Sequence, residues 1–180
     1  AGMSLFDAVV HSYTTVSTGG FSTHDASLGY FNSVAIELIA IVFMLAGGIN
    51  FAVHYRAAAG LSLRSYWRDE EVRSFLLFII GALIIIALML WLFEEYGYFH
   101  EALTNSLFEI VSVITSTGFG TADFSTWPGF LPLLLIFISF IGGCGGSTAG
   151  GLKVSRVLLV IKQGGHEIGL LIHPRAVKPL

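Results

Sequence analysis

An all-α integral membrane fold, built from span, pore helix, loop and span in series, is predicted by three observations. Residues 4–27 and 102–125 repeat one another at an offset of 98, so that Gly20 falls on Gly118, Phe21 on Phe119, Thr23 on Thr121, Asp25 on Asp123 and Ser27 on Ser125. Hydrophobic residues make up 54% of the chain and charged residues 12%, where a soluble domain carries roughly a quarter charged. The third observation is a run of six glycines in the ten residues 142–151, set inside an otherwise apolar stretch. A repeat decides an architecture before any single residue does. Here each copy is a short apolar segment running into a Thr/Ser/Gly loop.

The elements follow in order. Residues 4–16 are too short to cross a bilayer and suit a pore helix, with 17–25 as the first loop. A span is predicted over 32–55, its apolar stretch 34–53 interrupted only by Glu37 and Asn50. Residues 56–73 form a polar connection in which Tyr66 and Trp67 are interfacial anchors. A second span covers 74–93; its 19 uncharged residues from Phe75 to Phe93 reach roughly 28 Å, close to a hydrocarbon core. The second short helix occupies 100–114 and the second loop 115–126. Trp127-Pro128 is expected to open a descending span, since proline suits a helix start. That span runs to about 161 and is broken at 142–151, and residues 163–180 are a polar inner segment.

Charge sets the orientation. All nine basic residues lie in two stretches: Arg56, Arg64, Arg68 and Arg73, then Lys153, Arg156, Lys162, Arg175 and Lys178. Cytoplasmic flanks carry the excess of Lys and Arg, so both stretches are expected inside. Asp7, Asp25, Glu94, Glu95, Glu101, Glu109 and Asp123 surround the repeats, giving an outer surface that concentrates cations and repels anions. Cys144 is the lone cysteine, which excludes an intrachain disulfide framework and a thiolate zinc site. Ala1 is not an initiator methionine and no basic segment precedes the first apolar run. The sequence therefore reads as an internal piece of a longer polypeptide without a signal peptide.

Irregular backbone at membrane depth is tolerated only where it lines a cavity or is buried in protein. A dehydrated monovalent cation needs a ring of oxygens, and backbone carbonyls supply them when the chain runs with its carbonyls turned one way. Glycine permits that conformation. Thr18, Gly19 and Gly20 in the first loop and Ser116, Thr117 and Gly118 in the second are the candidate carbonyl donors. No acid stands among these six, which argues against a divalent-cation ring. The glycine-rich run, with Gly143, Cys144, Gly145, Gly146, Ser147 and Thr148 at its centre, is expected to be a flexible constriction below the loops that acts as a gate. Close packing of small residues against a neighbouring helix is the competing reading.

Other polar residues are weaker candidates. Glu37 is an intramembrane carboxylate near the outer end of its span, Asn50 suits a hydrogen bond to a helix or loop, and His11, on the first pore helix, suits packing or a hydrogen bond. Gly145-Gly146-Ser147-Thr148-Ala149 is a near miss to Gly-x-Ser-x-Gly, so an intramembrane serine protease using Ser147 is the alternative function. That chemistry needs a histidine base, and the repeat has no role in it. No phosphate-binding glycine loop with lysine is present, which argues against ATP hydrolysis by this chain.

Three motifs together carry a family resemblance. Ser17-Thr18-Gly19-Gly20-Phe21-Ser22-Thr23-His24-Asp25, Thr115-Ser116-Thr117-Gly118-Phe119-Gly120-Thr121-Ala122-Asp123-Phe124-Ser125 and Gly142-Gly143-Cys144-Gly145-Gly146-Ser147-Thr148-Ala149-Gly150-Gly151-Leu152-Lys153 resemble the TrkH/KtrB family of bacterial potassium uptake proteins, the TrkH branch most closely. The resemblance covers essentially the whole chain. It implies repeats as in potassium channels, four of them around one pore. Residues 1–55 would be the pore helix, filter loop and inner span of the second repeat, 56–73 a cytoplasmic connection, and 74–162 the complete third repeat. Residues 142–151 would be its intramembrane gating loop, and 163–180 a cytoplasmic or interfacial segment. Gly20 and Gly118 become filter glycines, and the six loop carbonyls become ligands of a potassium ion, with softer discrimination against sodium than in tetrameric channels. The resemblance also implies a multi-pass protein of the bacterial inner membrane, not an enzyme, that acts in potassium transport or symport. Implied partners are a second copy in a homodimer, a cytoplasmic nucleotide-binding regulatory subunit (TrkA-like) and membrane lipid, with no nucleic acid. Two of four loops are here, so this piece alone cannot close a pore.

Overall fold

The computed structural model describes residues 2–172, and within them the regular elements are helices. His173, Pro174, Arg175 and Lys178 of the expected inner segment lie outside the described residues. Helix α1 is Leu5–Val16, capped by Ser4, whose Oγ accepts from the Asp7 N–H at 3.1 Å and donates to Asp7 Oδ2 at 2.6 Å. Such a cap satisfies one of the orphan donors of a first turn.

Where the sequence predicts one span over 32–55, the chain makes two helices. Helix α2, Val34–Gly48, and helix α3, Phe51–Ala59, meet at 98°. Gly47 and Gly48 each weaken helix propagation by about 1 kcal/mol relative to alanine. Ile49 is then extended (φ −92°, ψ 149°), and Asn50 restarts the helix by accepting the Ala52 N–H at 2.8 Å. Asn50 is thus a helix cap.

Helix α4, Arg64–Arg68, is a short connector to α5, Glu70–Leu92, the one helix among the described residues long and apolar enough to cross a membrane. It begins four residues before the predicted 74 because Asp69 caps it, accepting the Val72 N–H at 3.3 Å. Its Leu77, Ile80, Ile84, Ile85, Leu88 and Leu92 are exposed, the all-round apolarity of a membrane span.

Helix α6, Phe99–Ile114, packs against α5, α2 and helix α7, Leu131–Phe140. Its Phe108, Ile110, Val111 and Ile114 are fully buried in the core. The descending helix does not open at Trp127-Pro128. It starts at Leu131 with Pro132 in the first turn, and Trp127 is buried. After the irregular residues 141–153, helix α8 runs over Val154–Ile172. It passes through Gly164-Gly165, so residues 163–172 of the expected polar inner segment are helical; Gln163 Nε2 donates to Glu167 Oε1 at 2.6 Å one turn on.

Candidate functional site: paired loops above a glycine-rich loop

The two repeated loops share a backbone as well as a sequence. Each leaves its helix through a right-handed residue, Ser17 (φ −77°) or Thr115 (φ −83°). Each then takes positive φ at Thr18 (51°) and Gly20 (68°), or at Ser116 (56°) and Gly118 (82°). Alternating hand places N–H groups on one edge of a strand and carbonyls on the other. The N–H edge faces the helix end: Ser17, Thr18 and Gly19 donate to Tyr13, Thr15 and Thr14 carbonyls at 3.0, 3.1 and 2.8 Å. At the same offset, Thr115, Ser116 and Thr117 donate to Val111, Val113 and Ser112 carbonyls at 3.0, 3.0 and 2.8 Å. Thr14 Oγ1 and Ser112 Oγ tie the far end of each loop, donating to the Phe21 and Phe119 carbonyls at 2.9 and 2.6 Å.

On the other edge, the carbonyls of Thr18, Gly19, Gly20, Ser116, Thr117 and Gly118 accept no hydrogen bond among the described residues. Six carbonyls on two adjacent loops are thus left without a protein donor among the described residues. The strands touch. A Cβ built on Gly20 falls 1.8 Å from the Thr117 carbonyl oxygen, so no side chain fits there, whereas a Cβ on Gly118 meets nothing within 4 Å.

Behind the loops, residues at matched positions hold the outer arms by different chemistry. His11 is buried, with Nε2 2.9 Å from Ser22 Oγ and Nδ1 2.7 Å from the Asp7 carbonyl. Its counterpart Glu109, 1% exposed, accepts the Thr121 and Ala122 N–H groups on Oε1 at 2.8 and 3.1 Å. Asp7 Oδ1 accepts Thr23 Oγ1 at 2.7 Å, and the Ser4 and Thr23 hydroxyls hold Asp7 below the usual carboxylate range. The Ser125 hydroxyl and N–H do the same for Asp123. Both outer carboxylates therefore stay ionised at neutral pH.

The glycine-rich run lies against the helix side of the loops. Its base closes as Gly142 N–H donates to the Leu152 carbonyl at 2.8 Å and Leu152 N–H to the Phe140 carbonyl at 3.0 Å. The arms pass so closely that a Cβ on Gly142 would sit 1.9 Å from the Gly150 oxygen. Cys144 and Thr148 N–H groups donate to the Gly48 and Gly47 carbonyls at 2.8 and 3.1 Å, the acceptors left free by the α2–α3 break. Thr148 Oγ1 reaches the Val16 carbonyl at the end of α1 at 3.3 Å, and a Cβ on Gly150 would touch Ser116 Oγ at 3.3 Å. Gly145 N–H donates to Glu71 Oε1 at 2.6 Å, and Lys153 Nζ donates to the Ala149 carbonyl. Hydrogen bonds reach every residue from 142 to 149 of the segment expected to be flexible.

Ser147 Oγ donates to the Cys144 carbonyl at 2.6 Å. No histidine partners it among the described residues, and both ring nitrogens of His54 are engaged, by Tyr66 Oη and the Ala46 carbonyl, each at 2.8 Å. Among the described residues the protease alternative has no base beside Ser147. Glu71 is the site residue sequence reasoning passed over, since its backbone contacts lie 74 and 84 residues along the chain, and Glu109, expected in the acidic outer surface, is instead buried against the second loop. The internal alignment does pair Glu109 with His11, and that signal was available.

Comparison with known proteins bears on the whole chain. A family profile described as TrkH, cation transport protein, matches residues 1–180. The Trk system potassium uptake protein TrkH of Halomonas elongata is 51% identical over 177 residues, covering 98% of this chain and 36% of that protein. The corresponding protein of Escherichia coli K12 is 47% identical over 177 residues, covering 98% and 37%. The crystal structure of the potassium transporter TrkH from Vibrio parahaemolyticus superposes with a TM-score of 0.95 at 47% identity, covering 99% of this chain and 39% of that one. The chain thus spans a little over a third of the length of the relatives it matches.

Proposed function

This chain belongs to the TrkH family of cation transport proteins, and on that premise we propose that it forms two of the filter-bearing units of a multi-pass potassium transporter in a bacterial cell membrane. Potassium is the cargo and not a resident cofactor. The observation that carries the reading is the pair of superposable strands, offset by 98 residues, whose six carbonyls have no protein donor. A dehydrated alkali ion is the partner those oxygens lack.

The contact between strands supports a ring. Gly20 abuts the Thr117 carbonyl of the next unit, while the matching direction from Gly118 is open among the described residues. A further loop of the full-length protein would stand there. Ions reach the filter through the outer surface where Asp7 and Asp123 are held ionised, and the membrane potential drives them inward with about 2.3 kcal/mol per charge per 100 mV. The glycine-rich loop, docked on the Val16 carbonyl and Ser116, obstructs the path below and serves as the gate. A homodimer of the full-length protein and a cytoplasmic nucleotide-binding subunit complete the working assembly; relatives named as parts of a Trk system support that view. The exposed face of α5 is left for lipid or further helices.

Potassium-limited growth tests the filter. The full-length parent is expected to rescue a strain lacking its own uptake systems, and Gly118→Ser to abolish or sharply reduce rescue. Equal rescue by both would overturn the assignment.

A further inference from the structure

Helix α8 begins where the glycine-rich loop ends, so its first N–H groups need acceptors from outside the helix. The Val154 N–H finds one in the loop itself, the Gly143 carbonyl at 3.2 Å. The Ser155 N–H finds one on another helix altogether. It donates to Glu71 Oε1 at 3.0 Å, the same oxygen that accepts the Gly145 N–H at 2.6 Å. One carboxylate oxygen in the first turn of α5 therefore joins the gate loop to the start of α8. Hydrogen bonds to a charged group are the stronger kind, and negative charge at a helix N-terminus is favourable.

The neighbouring acids reinforce the arrangement. Glu70 pairs with Lys162 of α8 at 2.7 Å, and Asp69 pairs with Arg56 of α3 at 2.9 Å. Both pairs sit on partly exposed side chains, as suits contacts that break and re-form. The first turn of α5 thus grips α3, α8 and the loop together. Glu71 alone of the three touches the loop.

We infer that Glu71 is the latch of the gate: a positioning residue that holds the glycine-rich loop in its obstructing place and makes its release depend on the position of α8. Pulling the start of α8 away from α5 takes the shared oxygen from Ser155 and loosens Gly145 with it. The inference rests on the reading of residues 142–151 as a gate. It adds the point of control, at the inner end of the fold and remote from the filter.

The test uses the full-length protein in proteoliposomes, without regulatory subunit, reading rubidium tracer flux and the potassium-to-sodium flux ratio. Deletion of residues 143–150 sets the ungated reference. Glu71→Ala is expected to raise unstimulated flux about tenfold toward that reference, the factor that corresponds to loss of ~1.4 kcal/mol of a charged hydrogen bond. The ion ratio stays unchanged, and Glu71→Gln, which keeps an acceptor oxygen, restores part of the closure. Ser155→Pro removes one of the two donors in a first turn that tolerates proline, and is expected to raise flux less. It decides the matter if Glu71→Ala fails to fold. Raised flux on deletion but wild-type flux in Glu71→Ala and Ser155→Pro overturns the latch and leaves the gate. No rise on deletion overturns the gate and the latch with it.

Discussion

Glu109 and His11 occupy matched positions on the two pore helices, yet one accepts backbone N–H groups through a carboxylate and the other binds a serine hydroxyl through an imidazole. Buried N–H groups left without an acceptor cost about 1–3 kcal/mol each. Glu109→Leu is therefore expected to lower the thermal midpoint of the purified full-length protein more than Glu109→Gln, which retains one acceptor. The same series read as flux should show a lower potassium-to-sodium ratio, because the arm carrying Thr121 and Ala122 no longer holds the strand ending at Gly118. An unchanged midpoint in Glu109→Leu would mean that the arm is supported elsewhere. Asp7 adds a pH consequence. Its folded-state value is lowered, so its contribution is present above the ordinary carboxylate range and lost only as pH falls through and below it.

At the scale of elements, the α2–α3 corner anchors the glycine-rich loop. Its two helices would be one if Gly47-Gly48 propagated the turn, and the freed carbonyls would then be unavailable to Cys144 and Thr148. Asn50→Ala removes the cap of α3 and is expected to cost about 1 kcal/mol, seen as a lower midpoint with the filter ratio intact. This corner was not legible in the sequence. A glycine pair inside an apolar run reads equally as a packing contact, and the acceptor need that decides between them is met by residues about a hundred positions later. The paired loops were legible because the same Ser/Thr/Gly pattern occurs twice at one offset, and both copies take positive φ at matched positions. The start of α7 was misplaced because Pro128 and Pro132 carry the same signal four residues apart. The latch at Glu71 was hidden for a different reason: Asp69, Glu70 and Glu71 look alike in sequence, and the contacts of Glu71 at separations of 74 and 84 residues tell it apart.

Across the whole molecule, the two units are stitched on both sides of the loops. At the end away from the glycine-rich loop the Gly29 N–H donates to the Gly120 carbonyl at 3.1 Å and the Gly120 N–H to Ser27 Oγ at 3.2 Å. On the gate side the glycine-rich loop bridges α1, the α2–α3 corner and α5. The Cys144 side chain is sealed at 0% exposure inside that second seam. In a full-length protein with its other cysteines removed, a charged methanethiosulfonate reagent is expected to label Cys144 slowly. Labelling should accelerate when Glu71→Ala releases the seam, as read by mass shift. Equal rates would place the opening motion elsewhere.

The gate loop docks on peptide oxygens of the preceding unit, and this governs what opening must involve. If the loop is the gate, its departure would take the donors from the carbonyls of Gly47 and Gly48 together. Their replacement by solvent would then make opening a wetting event, with a dry closed form and a hydrated open one. Osmolytes too large to enter should then suppress conduction by withdrawing that solvent, even though they touch neither the strands nor the latch.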